Sequence, residues 1–117
     1  MNHRIMIYGR DLPPKVKPGT KDVCPGDTVC WEARSTPAEV AFPRSRWPFE
    51  EQWDVIPVAE EVAGEAPKRY TFTVKGIRAQ EDLDEFHYSV YCSRPGRYAV
   101  GDSDPIIIIR RPSGSGG

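Results

Sequence analysis

Proline and glycine are unusually frequent in this sequence, and they limit its fold more than any other feature. The 117 residues include 12 prolines and 10 glycines. A proline inside a helix removes a backbone hydrogen bond and clashes with the preceding turn, and an internal glycine weakens the helix. Both residues are common in tight turns. The sequence therefore predicts an all-β protein of short strands, with room at this length for one two-layer core.

Segments that alternate between apolar and polar side chains lie between the turn signals. The clearest is residues 86–92, where every second side chain shares one face, as the two-residue period of a strand requires: Phe86, Tyr88, Val90 and Cys92. About seven to eight such segments, with no helical crossovers between them, predict an antiparallel β-sandwich. The main segments are residues 4–8, 28–33, 40–42, 69–74, 86–92, 97–100 and 106–110.

Residues 106–109 are four consecutive isoleucines, so this segment is apolar on both faces. An uncovered edge strand of that kind would be prone to aggregation. We expect it either in the centre of a sheet or at an edge that another segment or a partner chain covers.

The stretch from 43 to 67 departs from the alternation. Pro48 stands where the first turn of a helix accepts proline. Glu50 and Glu51 follow it, where acidic side chains favour the N-terminal end of a helix. A short helical insertion is therefore predicted around residues 48–63.

Charge and hydropathy argue against several classes of function. With 16 basic and 17 acidic side chains the net charge is −1, so the chain lacks the basic surface that nucleic-acid binding requires. The longest apolar run, residues 106–109, is far shorter than the roughly 20 residues that span a bilayer. No secretory leader is visible at the start of the sequence, and an odd number of cysteines, three, fits a reducing compartment. We expect a cytoplasmic protein that binds neither nucleic acid nor membrane.

The domain is expected to span residues 1–111, and the Gly/Ser composition of residues 112–117 predicts a flexible tail. Cys24 and Cys30 flank a short turn, and a disulfide between them would need Cα atoms about 5.5 Å apart. The sequence leaves that pairing open and favours reduced thiols.

Several segments are similar, in order and spacing, to strands of the cupredoxin family. Residues 26–31 (GDTVCW) resemble the Gly-Asp-Thr-Val-x-Trp strand of that family. Residues 70–74 and 86–92 resemble its Phe-x-Phe strand and the Tyr-x-Tyr-x-Cys that follows, and residues 101–108 resemble its closing strand. The resemblance covers roughly residues 12–110. It implies a Greek-key β-sandwich that holds a type 1 copper ion.

The copper ligands that the resemblance implies are largely missing. Type 1 copper takes two histidines, a cysteine thiolate and a weak axial ligand, usually methionine. Cys92 occupies the thiolate position, but Ala38 stands at the place of the first histidine, and residues 92–101 contain neither histidine nor methionine. The sequence has only two histidines, His3 and His87, and His87 is expected to face away from Cys92. We therefore expect no metal and no cofactor.

Without copper, the favoured function is protein binding, either as a non-catalytic accessory subunit or through self-association. Large aromatic side chains mixed with arginine are typical of interface hot spots. The predicted contact residues are Arg44, Arg46, Trp47, Phe49 and Trp53, followed by Arg94 and Arg97. The three aromatic residues of this set are equally consistent with a core that closes one end of the sandwich.

The end of the sandwich that copper would occupy supports a second set of hypotheses. Four charged residues are expected to converge there: Arg34, Glu39, Arg94 and Arg97. They form either an ion pair in place of the metal or a receptor for an anionic group. The alternative function is a metal-binding protein with atypical ligands, Cys92 together with Cys24 or Glu39. An enzyme with its site at this end ranks lowest, because no acid–base pair can be named there.

Overall fold

A computed structural model describes residues 1–11, 13–66, 69–76, 83–99 and 105–111. These residues are all-β and contain eleven strands and no helix. The strands are β1 (Asn2–Tyr8), β2 (Lys15–Lys17), β3 (Thr20–Val23), β4 (Thr28–Arg34), β5 (Ala38–Ala41), β6 (Ile56–Val58), β7 (Phe72–Thr73), β8 (Leu83–His87), β9 (Ser89–Cys92), β10 (Arg97–Tyr98) and β11 (Ile106–Arg110). The tail predicted to be flexible, residues 112–117, lies outside the described residues.

The strands form three hydrogen-bonded groups, ordered β2-β1-β4-β7, β10-β9-β5-β6 and β3-β11-β8. Most neighbours are antiparallel, as predicted, but β1 pairs with β4 and β3 pairs with β11 in parallel. The prediction of a purely antiparallel sandwich is wrong for these two pairs. Side-chain alternation indicates a strand, but it does not indicate whether the paired strand runs parallel or antiparallel. That direction is set by the longer connections between strands.

The second and third groups are joined through one bent strand. Only Tyr88 separates β8 from β9, and its backbone N–H donates to the carbonyl oxygen of Pro105 at 3.0 Å. β8 pairs with β11 on one side of this bend, and β9 pairs with β5 on the other. The predicted alternation of residues 86–92 is confirmed, because all four side chains assigned to one face are buried.

The isoleucine segment is a central strand, since β11 lies between β3 and β8. Ile107 and Ile109 are fully buried, whereas Ile106 and Ile108 are half-buried on the opposite face. Of the two positions that the sequence left open for this segment, the central one is confirmed.

The predicted helix around residues 48–63 is absent, and that stretch contains β6 instead. Phe49 forms a bridge with Val74, and the N–H of Glu50 donates to the carbonyl oxygen of Thr73 at 2.9 Å. The Glu51 carboxylate accepts from the N–H and the hydroxyl of Thr73 at 2.7 and 2.9 Å. These bonds to the end of the sheet replace those that a helix would make within itself, so long-range pairing overrides the local helix signals.

An aromatic cluster fills one end of the core. The Trp31 ring lies edge-on to the rings of Phe42, Phe49 and Tyr88, with centroids 5.6 to 6.3 Å apart, the geometry that aromatic quadrupoles favour. The Trp31 indole N–H points to the Tyr88 hydroxyl at 3.5 Å. Burial raises the pKa of Tyr88, so that hydroxyl stays protonated and neutral.

Candidate functional site

Cys92 and Ala38 are direct partners in the β9–β5 pair, so their side chains share the inward face of the sheet. The Cys92 side chain is fully buried, and burial raises the pKa of its thiol. The residue opposite the thiol therefore carries a methyl group and offers no metal ligand. This register agrees with the assignment of Ala38 to the histidine position.

The other donors considered for a metal lie elsewhere. Glu39 pairs with Tyr91 and both are exposed, so this carboxylate is on the opposite face of the sheet from Cys92. His87 is five residues before Cys92, about 16 Å along an extended chain. His3 is bonded through Nε2 to Asp27 at 2.8 Å. Within the described ranges, no cluster of three histidine, cysteine, aspartate or glutamate side chains could hold a metal ion. The residues present do not fit a type 1 copper ion.

Arg94, in the loop after β9, is hydrogen-bonded to the loop after β4. Its backbone N–H donates to the Thr36 hydroxyl at 3.1 Å, and its Nε donates to the Ser35 carbonyl oxygen at 3.2 Å. Its Nη2 lies 2.5 Å from Oε1 of Glu60. Ser35 has a φ of 67°, in the left-handed region that non-glycine residues rarely adopt. The loop after β4 is thus held in an uncommon conformation by contacts with the loop after β9.

Ion pairs occupy this end, as one of the two predicted arrangements required, but the carboxylates differ from the expected one. Glu60 pairs with Arg94, and Glu61 lies 3.5 Å from Nε of Arg34. Glu39 belongs to neither pair. Glu60 and Glu61 come here because Glu60 forms a parallel bridge with Ala33 at the end of β4. That pairing links residues almost 30 positions apart, and no local pattern indicates it.

An open groove of about 640 Å³ lies beside the Arg94 loop, lined by Gly9, Arg10, Ser35, Glu60, Glu61, Arg94 and Pro95. Two of its arginine and glutamate side chains, Arg94 and Glu60, are already paired with each other. Arg97, which was expected to join them, is exposed on β10. The groove is therefore mixed in charge, and its clearest role is structural.

The predicted contact residues before position 50 divide into buried and exposed side chains. Trp47 is only 8% exposed, and its indole N–H donates to the Glu51 carbonyl oxygen at 2.6 Å. Phe49 is buried against it, with ring centroids 5.5 Å apart. These two belong to the core, one of the two roles that the sequence left open. Arg44 is exposed.

Arg46 is held within the protein. Its Nη2 lies 2.5 Å from Oδ1 of Asp84 and 2.6 Å from the Glu85 carbonyl oxygen. Its guanidinium lies over the Phe86 ring, 4.5 Å from the centroid. A guanidinium with an ion pair, a carbonyl bond and a ring contact is part of the scaffold rather than a free contact residue.

Trp53 is the predicted aromatic contact residue that remains at the surface. Its side chain is 38% exposed and packs on Tyr70, which is 49% exposed, with ring centroids 4.7 Å apart. The buried Phe72 ring lies 5.5 Å from Trp53 and anchors the pair to the core. Val55 is 41% exposed two residues further along the chain. We call the exposed pair of Trp53 and Tyr70 the aromatic patch.

Tyr70 was not among the predicted contact residues. The alternation of residues 69–74 assigned it to the same face as Phe72 and Val74, which are buried. β7 begins only at Phe72, so the strand period does not extend to Tyr70. The signal available in the sequence was the tyrosine itself, at the margin of a short strand.

A second exposed aromatic pair lies on the outer face of another sheet. Tyr91 of β9 and Tyr98 of β10 are direct partners, with ring centroids 5.2 Å apart. Glu39 pairs with Tyr91 on its other side. Glu39, Tyr91 and Tyr98 thus lie side by side on three neighbouring strands of this sheet.

All three cysteines are free thiols, in agreement with the reduced state favoured from the sequence. Cys30 lies on the face of β4 that carries Glu32, away from the aromatic cluster, and burial raises the pKa of its thiol. The buried Glu32 carboxylate forms ion pairs with Arg69 and Arg4 on this face. These ion pairs lie on the outer face of β4, where Oε1 of Glu32 is buried and accepts no hydrogen bond from the described residues.

Comparison with known proteins finds similarity among solved structures only. No family model and no curated protein matches the chain. Among solved structures, the chain is similar to a purple cupredoxin from Nitrosopumilus maritimus, with 16% sequence identity and a TM-score of 0.47. The match covers 94% of this chain and 99% of that one.

Proposed function

We propose that this chain is a protein-binding or accessory-subunit module on a copper-free cupredoxin-like fold. The observation that carries the proposal is the exposed Trp53–Tyr70 pair, which is fixed to the core through Phe72. The module acts without a cofactor and without catalysis, and we place it in the cytoplasm.

An electron carrier of this fold needs a metal ion, and the fully buried Cys92 faces Ala38 rather than a second donor. The exposure of the Trp53 and Tyr70 rings remains to be explained. Trp and Tyr are enriched among hot spots because they bury a large area while losing little conformational freedom. A tryptophan held in place before binding has a smaller ordering cost to overcome on association.

The aromatic patch is a better contact surface than the other predicted residues. Trp47 and Phe49 are buried and bonded inside the protein, and Arg46 is engaged with Asp84. Arg44, Arg94 and Arg97 have exposed side chains, and single surface charges contribute little to binding. Trp53 is therefore the residue on which the binding energy should depend most.

Affinity capture followed by reconstitution tests the proposal. The full chain is immobilised, proteins retained from an extract of its source are identified, and the partner is purified for titration against wild type, Trp53→Ala and Tyr98→Ala. A hot-spot tryptophan contributes about 2 kcal/mol or more, so Trp53→Ala should raise the Kd about 30-fold. Tyr98→Ala, an exposed tyrosine outside the patch, is the matched control and should leave the Kd unchanged.

Self-association is checked on the same variants by sedimentation. If the partner binds Trp53→Ala and wild type equally, the patch is not the contact surface and the proposal fails. It also fails if the chain retains no partner and remains monomeric at all concentrations.

A further inference from the structure

The charges around the aromatic patch indicate the kind of partner it takes. Glu50 and Asp54 lie close to Trp53 in the chain, and both side chains are exposed. Neither carboxylate has an ion-pair partner among the described residues, whose salt bridges involve other acids. Within the described ranges, the patch is therefore flanked in the chain by two exposed carboxylates that form no ion pair.

Two other charged groups near the patch, Glu51 and Arg69, are already engaged. The Glu51 carboxylate is held by Thr73, and these hydrogen bonds lower its pKa. Arg69 precedes Tyr70 in the chain, but its guanidinium pairs with the buried Glu32. It is therefore not placed to neutralise Glu50 or Asp54. The surface that a partner meets combines the exposed rings of Trp53 and Tyr70 with the exposed carboxylates of Glu50 and Asp54.

We propose that the aromatic patch binds a basic, arginine-bearing segment of a partner protein; this inference rests on the proposed function. A guanidinium is attracted to the face of a Trp or Tyr ring and at the same time pairs with a carboxylate. Trp53 and Tyr70 supply the ring faces, Glu50 and Asp54 supply the charge, and Val55 supplies apolar area for neighbouring side chains.

Two other occupants fit the surface less well. An acidic segment would bring its carboxylates against Glu50 and Asp54, and like charges brought together at an interface disfavour binding. A symmetric dimer through the same patch would place the Glu50 and Asp54 side chains of two copies in one interface, with the same penalty. A basic partner brings opposite charge to Glu50 and Asp54 and so avoids the like-charge repulsion of both alternatives.

The three indole N–H groups make the test specific to one side chain. The Trp31 indole faces Tyr88 and the Trp47 indole donates to Glu51, whereas Trp53 is at the surface. In a ¹H–¹⁵N spectrum of the full chain, the three indole signals are assigned with single Trp→Phe variants. A blocked peptide of alternating arginine and leucine is then titrated, with a blocked peptide of alternating glutamate and leucine as the control probe.

The expected result is a saturable shift of the Trp53 indole signal with the arginine peptide only, while the signals of Trp31 and Trp47 stay in place. The double variant Glu50→Gln/Asp54→Asn should weaken binding about tenfold, and 0.5 M salt should weaken it in wild type, since surface charge pairs are screened. Both substituted side chains are exposed, so an unchanged melting temperature verifies that the variant is folded.

The inference is overturned if the arginine peptide leaves the Trp53 signal in place, if the glutamate peptide binds equally well, or if the double variant retains full affinity. These results are distinct from failure of the proposed function. A captured partner that depends on Trp53 but binds the double variant normally would leave the binding function intact and remove only the basic partner. A concentration-dependent dimer through Trp53 would also contradict the basic partner.

Discussion

Ala38 lies directly opposite Cys92 in the β5–β9 pair, with both side chains buried on the inward face of the sheet. The thiol therefore faces a methyl group, and burial raises its pKa. In the loop that follows Cys92, Arg94 pairs with Glu60. The aromatic patch is a separate feature, anchored through Phe72.

Replacing Trp47 by alanine should destabilise the protein severely. Its ring is buried among Phe42, Phe49 and Phe72, and truncating a core tryptophan costs about 3–5 kcal/mol. Urea denaturation monitored by circular dichroism gives the free energy of unfolding. Trp53→Ala is the matched control and should cost about 1 kcal/mol, because this ring is partly exposed. Equal losses in the two variants would mean that Trp47 is not part of the core.

Replacing Gly9 by alanine should lower the free energy of unfolding, because the new methyl group would collide with Thr36 beside the Arg94 loop. A Cβ at position 9 would lie 2.5 Å from Cγ2 of Thr36 and 3.1 Å from the Arg34 carbonyl oxygen. Thr36 is fully buried and accepts the Arg94 N–H, so it has little room to move. Overpacking of this kind costs about 1–3 kcal/mol.

Gly76→Ala is the control for that change, because a Cβ there meets nothing within 4 Å. We expect its free energy of unfolding to equal that of wild type or to rise by a few tenths of a kcal/mol, since alanine restricts the unfolded chain. A Gly9→Ala protein as stable as the Gly76→Ala protein would contradict the close approach of Gly9 to Thr36.

Asp27 should make stability depend on pH in the acid range. Burial raises the pKa of its carboxyl, but hydrogen bonds from the Cys24 N–H and His3, together with the N-terminal ammonium, lower it to a net value of about 2. Because the folded pKa lies below the ordinary value of 3.8, the stabilisation is complete above about pH 4 and is lost as the pH falls toward 2.

Asp27→Asn tests this assignment by urea denaturation at several pH values. The variant should be less stable than wild type by about 1–3 kcal/mol at pH 7, the range for hydrogen bonds to a charged acceptor. The difference between the two proteins should shrink between pH 4 and pH 2. A difference that stays constant over that interval would show that the Asp27 carboxyl is not stabilised by its ionisation.

Local side-chain patterns predicted the parts of the fold that depend on strand period. The alternation of residues 86–92 placed Cys92 on the buried face, and the resemblance placed Ala38 at the vacant histidine position, which the register with Cys92 matches. Both statements require only which face a residue occupies. The positions of Cys92 and Ala38 could therefore be predicted before any tertiary contact was known.

Features set by contacts between distant segments could not be predicted in this way. The helix signals after Pro48 are local. The Glu51 carboxylate instead accepts hydrogen bonds from Thr73, and this segment does not form a helix. The exposure of Tyr70 depends on where β7 begins, and the position of Glu60 depends on its bridge to Ala33. In each case a pairing between residues more than 20 positions apart determines the local structure, and the sequence next to either residue does not indicate that pairing.

Titration of the reduced, metal-free protein with Cu²⁺, followed by visible absorption spectroscopy, tests the copper-free account most directly. A Cys92→Ser variant serves as the control for any thiolate signal. The account predicts no intense thiolate-to-copper charge-transfer band in wild type and identical spectra for the two proteins, because Cys92 faces Ala38 and no imidazole. A blue or purple wild-type sample whose colour is lost in Cys92→Ser would contradict it.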